Sequence, residues 1–146
     1  MVTVPVVQVT EGARVPSYAH DGDAGCDLVA VDRVVLEPGG GRGVVSCGIA
    51  LAIPEGYAGF VLPRSGLAAH HGVTCLNSPG LVDAGYRGEV RVVLVNTDPT
   101  ERYTVEPGDR VAQLVVQPIE AVSFKEVDLL DPTSRGEGGF GSTGFA

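Results

Sequence analysis

Glu89-Val90-Arg91-Val92-Val93-Leu94-Val95 is the strongest strand signal in the chain. It is Val-rich, carries a single charged side chain in its interior and is too short for a buried helix, so it reads as a β-strand. Working outward, similar runs recur at Val2 to Val9, Val34 to Leu36, Val44 to Ile53, Ala58 to Leu62, Tyr103 to Val105 and Arg110 to Pro118. Turn chemistry separates them: Glu37-Pro38-Gly39-Gly40, Pro54-Glu55-Gly56, Asp98-Pro99-Thr100 and Glu106-Pro107-Gly108-Asp109. Short strands with such punctuation, and no helical period between most of them, predict an all-β sandwich or barrel rather than βαβ units. The one expected helix is short, Arg64 to His71, with Ser65 as its cap and Gly72 as its stop. Ala84-Gly85 is expected to form the tip of a hairpin, with Asp83 and Tyr86 on its two sides.

At 146 residues the chain suits one hydrophobic core. Its 21 glycines are about twice ordinary usage, but 44% apolar residues and a mean hydropathy of +0.20 point to a turn-rich fold, not to disorder. A net charge of −8 argues against a nucleic-acid or anionic-membrane surface, which needs a basic face. It leaves room for a small polyanion, since nine of the ten basic residues are Arg, whose planar fork suits phosphate oxygens. Cys26, Cys47 and Cys75 are too few and too far apart for a disulfide framework or a zinc site, and read as reduced thiols. The N-terminal stretch lacks a signal-peptide pattern and no run is long enough for a membrane span, so a soluble, cytoplasmic protein is expected. Arg135 to Ala146 is Gly-rich and poor in apolar side chains, and on composition alone reads as a frayed tail.

Several polar residues stand out against this apolar background. Pro63-Arg64-Ser65-Gly66, between a strand and the expected helix, offers an Arg, a hydroxyl and free amides; it is either an anion cradle or an ordinary capped turn. The ribbon from Asn77 to Glu89 carries Asp83, readable as a general base or as an Asx-type turn residue, and Tyr86, readable as a ring against a ligand or as a surface residue. Asp27 in Ala24-Gly25-Cys26-Asp27-Leu28 and Gln113 in Arg110-Val111-Ala112-Gln113-Leu114 point either into a site or outward by strand alternation. His70 and His71 have no third ligand at zinc spacing and read as a helix-end pair.

In order along the chain, these segments resemble the five motifs of the trimeric dUTP diphosphatase (dUTPase) family. Ala24 to Leu28 resembles the first, Pro63 to Gly66 the second, Gly80 to Glu89 the third, Arg110 to Leu114 the fourth and Arg135 to Gly144 the fifth. The resemblance implies a jelly-roll-like, distorted β-barrel assembled as a homotrimer with active sites at subunit interfaces. It divides the chain into a β domain, 1–134, and a mobile C-terminal arm, 135–146, that closes over the site. The implied reaction is hydrolysis of dUTP to dUMP and diphosphate with Mg²⁺, which limits uracil incorporation into DNA and supplies dUMP for dTMP synthesis.

The same resemblance assigns roles. Asp83 activates the water that attacks the α-phosphorus, and Asp27 acts on the metal through coordinated water. Arg64, Ser65, Gly66 and Gln113 hold phosphate oxygens. Asn77 and the backbone of Leu81, Val82 and Asp83 read uracil, Tyr86 lies under the deoxyribose, and Arg91 sits at the substrate rim. Arg135 reaches the γ-phosphate, Phe140 stacks on uracil, and Gly141 and Ser142 belong to the same phosphate-wrapping arm. A dCTP deaminase of the same fold and a non-catalytic β-trimer are the rival readings. The Pro63 to Gly66 and Asp83 to Tyr86 stretches speak against the first, and the intact set of catalytic groups against the second.

Overall fold

The computed structural model describes residues 1–139. Among these residues, ten strands and one short helix build two four-stranded antiparallel sheets and a two-stranded one. The first sheet has the order β1 (Val6–Gln8), β4 (Gly41–Leu51), β8 (Glu89–Asn96), β6 (Val73–Cys75). The second runs β2 (Cys26–Val29), β10 (Arg110–Pro118), β5 (Tyr57–Leu62), β7 (Gly80–Val82), while β3 (Val34–Leu36) pairs with β9 (Tyr103–Val105). The all-β expectation holds.

Alternation explains the core. Along β8, Val90, Val92, Leu94 and Asn96 are buried while Arg91 faces water. Opposite them on β4, Val45, Cys47, Ile49 and Leu51 point inward. Leu28, Val61, Val82, Val111, Ala112 and Leu114 of the second sheet join the same apolar cluster. Each Val, Leu or Ile among them contributes roughly 1.5–3 kcal/mol on burial, so the two sheets are held mainly through their facing sides.

The β4–β8 ladder changes register between Ser46 and Ala50. Gly48, at φ +67°, supplies the backbone conformation for this bulge. Two carboxylates satisfy amides there: Asp32 Oδ1 accepts from Ser46 N–H at 3.2 Å and Glu89 Oε1 from Gly48 N–H at 3.0 Å. At the far end of β8, the fully buried Asn96 donates through Nδ2 to the carbonyls of Leu36 at 3.1 Å and Glu101 at 2.8 Å. Its Oδ1 accepts from Asp98 N–H at 3.0 Å, so this polar side chain is fully used in tying sheets together.

Several boundaries differ from those read in the sequence. The Val2 to Val9 run contracts to Val6–Gln8, and β2, β6 and β7 are additional short strands. The helix α1 spans Ser65–His71, and Gly72 ends it in the left-handed conformation as expected. Ser65 does not cap it: Arg64 holds the N-cap position and makes no side-chain cap bond. The turn at Ala84-Gly85 exists, closed by Tyr86 N–H on the Asp83 carbonyl at 3.1 Å. It is not a hairpin tip, because β7 pairs with β5 while β8 pairs with β4 and β6. No helix among the described residues is long and apolar enough to cross a membrane.

Candidate active site

The second sheet brings three distant sequence segments together. Gln113 on β10 is in register with Asp27 on β2 on one side and with Leu62 on β5 on the other. The chain leaves β5 through Pro63 directly into Arg64 and α1, so Asp27, Gln113 and Arg64 converge across neighbouring strands. They wall an open, mainly polar cavity of about 470 Å³ together with Ser65, Gly66 and Arg110.

Within it, Asp27 sits between two guanidinium groups. Its Oδ1 lies 3.5 Å from Arg64 Nε and its Oδ2 accepts from Arg110 Nη1 at 3.2 Å. Arg64 also donates from Nη1 to the Arg110 carbonyl at 3.1 Å, which fixes the direction of the fork. Asp23 lines the same cavity, so two guanidinium groups face two carboxylates, and the wall offers Arg forks together with acidic groups inside a chain of net charge −8. Gln113 donates from Nε2 to the Pro63 carbonyl at 3.0 Å. Gly25 makes room for that amide, since a Cβ there would lie 2.6 Å from Gln113 Oε1. With no side-chain cap, the first-turn amides of α1 lack intrahelical acceptors beside this cavity. Together these groups suit an elongated polyanion.

Arg110 received no role from the sequence. The signal for it was its place as the charged first residue of an apolar strand; its partner Asp27, distant in sequence, was visible only once β2 and β10 paired.

A second group lies along β7 and the loop after it. Among the described residues β7 is the edge strand of its sheet, and one side of the Gly80–Val82 backbone has no strand partner there. Val82 is buried and Leu81 exposed, as alternation requires. The Asn77 amide lies near the start of this edge, within 3.4 Å of where a Gly80 Cβ would stand. Asp83 is exposed at the end of β7. The loop that follows is braced by its own bonds: Arg87 Nη1 donates to the carbonyls of Ala84 at 2.6 Å and Tyr86 at 2.8 Å, and Tyr86 Oη donates to the Glu89 carbonyl at 2.9 Å. Arg91, on β8 in the other sheet, pairs with Glu89 at 3.1 Å.

The two groups do not meet within one chain. Gly59 pairs with Val82 and Val61 with Gly80, so β7 runs back along β5, ends opposite Gly59 and carries Asp83 on toward the level of Ala58. Arg64 lies six positions beyond Ala58, which at about 3.3 Å per residue puts Asp83 roughly 20 Å from the Arg64 backbone. Arg135 is also apart from the cavity, donating from Nε to the Gly138 carbonyl at 2.9 Å in a local turn. Phe140, Gly141 and Ser142 lie outside the described residues.

Among the described residues no cluster of three or more His, Cys, Asp or Glu side chains is placed to hold a metal. The carboxylate of Asp27, on a polar wall that also carries Asp23, nevertheless fits Mg²⁺ held through water, because this cation keeps much of its hydration and takes further ligands from a substrate's phosphates. His70 and His71 lie at the C-terminal end of α1, His71 against Tyr103 at a ring separation of 4.9 Å. Burial and nearby Glu89 and Asp32 push the Cys47 thiol up to about 12, and burial pushes Cys75 up to about 11.

Comparison with known proteins bears on this geometry. The dUTPase family model matches residues 11–144. A deoxyuridine 5'-triphosphate nucleotidohydrolase of Thermobifida fusca is 55% identical over 98% of this chain and 79% of its own length. One of Leifsonia xyli is 52% identical over 99% of this chain and 91% of its own. Among solved structures, the Staphylococcus bacteriophage 80alpha dUTPase with dUpNHpp superposes with a TM-score of 0.90 at 31% identity, covering 99% of this chain and all of that one. A mutant dUTPase of phage phi11, described with a structural Mg(II) ion, gives 0.81 at 29% identity over 88% of this chain and 98% of that one.

Proposed function

Since the chain belongs to the dUTPase family, we propose that it hydrolyses dUTP to dUMP and diphosphate. The observation that carries the reading is the convergence of Asp27, Arg64, Ser65, Gly66 and Gln113 on one polar cavity. Such a cavity suits a triphosphate held by charge-assisted hydrogen bonds.

In this mechanism Arg64, Ser65, Gly66 and Gln113 hold phosphate oxygens and set the α-phosphorus in line with the attacking water. Gln113 has a second Nε2 proton to give them while the first stays on the Pro63 carbonyl at 3.0 Å. Asp83 holds the water and takes its proton as the new P–O bond forms and the bond to diphosphate breaks. Asn77 and the open edge of Leu81, Val82 and Asp83 read the donors and acceptors of uracil, and Tyr86 lies under the deoxyribose. Arg91 meets the substrate rim. Asp27 would hold Mg²⁺ through water. The bound cation would supply charge that offsets the negative charge on the departing diphosphate.

Asp83 and Arg64 are too far apart to act on one α-phosphorus from a single chain, which supports a site shared between copies, and we assign the assembly as a homotrimer. The exposed apolar side chains Val122, Phe124, Leu129 and Leu130, on a segment without strand or helix, suit docking on a neighbouring copy. Residues 1–134 then form the body, and 135–146 an arm that closes over the site, with Arg135 on the γ-phosphate and Phe140, Gly141 and Ser142 about the nucleotide. The setting is cytoplasmic, and the activity limits uracil incorporation into DNA while supplying dUMP for dTMP synthesis. Incubation with dUTP, dCTP, dTTP and UTP, with products identified, tests the reading. Diphosphate and dUMP are expected from dUTP. Ammonia from dCTP, or no diphosphate from dUTP, overturns it.

A further inference from the structure

Gly88 stands where a side chain would collide with the ring of Tyr86. A Cβ built on it would lie 2.6 Å from Tyr86 Cζ and 2.9 Å from Cε2, and closer still to the phenol oxygen. No real Cβ tolerates these separations, so the phenol end occupies the space that only glycine leaves free. Gly88 does not need glycine for its backbone, since its φ is not in the left-handed region. The requirement is for space alone, and it concerns one functional side chain.

The ring is held by more than this gap. Its hydroxyl donates to the Glu89 carbonyl at 2.9 Å, immediately beyond Gly88. Its backbone N–H closes the turn on Asp83 at 3.1 Å, and Arg87 binds the carbonyls of Ala84 and Tyr86. An exposed tyrosine on a loop ordinarily samples several rotamers. This one, 45% exposed, has its free end fixed.

We infer that Gly88 is a specificity-determining positioning residue: by leaving room for the Tyr86 phenol and its bond to Glu89, it fixes the ring at the height at which a ribose 2′-hydroxyl is rejected. The inference rests on the reading of Tyr86 as the floor of the deoxyribose. A rigid ring can exclude one added oxygen by contact, whereas a ring free to swing aside yields to it at little cost.

The test measures kcat/KM for dUTP and for UTP in the wild type, Gly88→Ala, Tyr86→Ala, Tyr86→Phe and the Gly88→Ala/Tyr86→Ala double variant. Gly88→Ala is expected to lower the dUTP-to-UTP ratio at least about tenfold, and Tyr86→Phe, which keeps the ring but loses its tether, to lower it less. The double variant is expected to match Tyr86→Ala, because the new methyl then has nothing to displace. A purely structural effect of Gly88→Ala lowers both specificity constants together and leaves their ratio alone, which overturns the inference. So do additive effects on the ratio in the double variant. A ratio unchanged by Tyr86→Ala removes the underlying reading of Tyr86 itself, an outcome distinct from the other two.

Discussion

The carboxylate of Asp83 stands exposed at the end of β7, on a loop that holds its shape through the Tyr86 and Arg87 bonds rather than through the Asp83 side chain. Asp83→Asn therefore keeps the loop and removes only the proton acceptor. Turnover of dUTP is expected to fall about 10²- to 10⁴-fold, while the affinity for dUpNHpp, measured by calorimetry, stays within a few-fold. Retained turnover would remove Asp83 from the base role. The buried thiols give a second test. With the Cys47 thiol pushed up to about 12 by burial, Glu89 and Asp32, the folded state keeps its proton where the unfolded chain has lost it. Stability from this group is full below about pH 9 and is lost as pH rises toward 12. Denaturant unfolding between pH 8 and 11 is expected to show this fall, and Cys47→Ala to flatten the slope whatever its effect on the absolute stability.

At the level of elements, the bulge in β4 is the feature on which the first sheet's register turns. Gly48 combines φ +67° with a site where a Cβ would lie 2.8 Å from Ala13 Cβ and 2.9 Å from Val31 Cγ1. Gly48→Ala is expected to cost about 2–5 kcal/mol, strain and overpacking together, whereas Gly39→Ala, at φ +71° with open space around it, costs only the strain of about 1–3 kcal/mol. Thermal melts of the two variants separate the terms, and equal losses would contradict the packing account. The long strands were legible because β-branched residues alternate or run together there, as in β8 and β10. The three-residue β6 and β7 were not, since a strand that short shows no period and gains its partners only from the tertiary fold. The same distinction divides the site. Asp27, Arg64 and Gln113 stand out within their own segments, but the pairing that puts Gln113 between Asp27 and Leu62, and with it the bond from Arg110 to Asp27, is a property of the sheet.

At the scale of the whole molecule, the separation of Asp83 from Arg64 decides how one site could use both. The β5–β7 register sets Asp83 and Arg64 roughly 20 Å apart, which no side-chain rotation spans. Removal of residues 135–146 is expected to leave the assembly intact by sedimentation and to abolish most turnover, because the body holds the core while Arg135 and Phe140 leave with the arm. Subunit mixing tests the sharing itself. Asp83→Asn and Arg64→Ala subunits should each be nearly inactive alone. Co-refolded at equal amounts, random association leaves each site an even chance of an intact Asp83 from one copy and an even chance of an intact Arg64 from another, so about a quarter of wild-type turnover should return. If both groups of a site came from one chain, every site would carry one of the two substitutions and mixing would restore nothing.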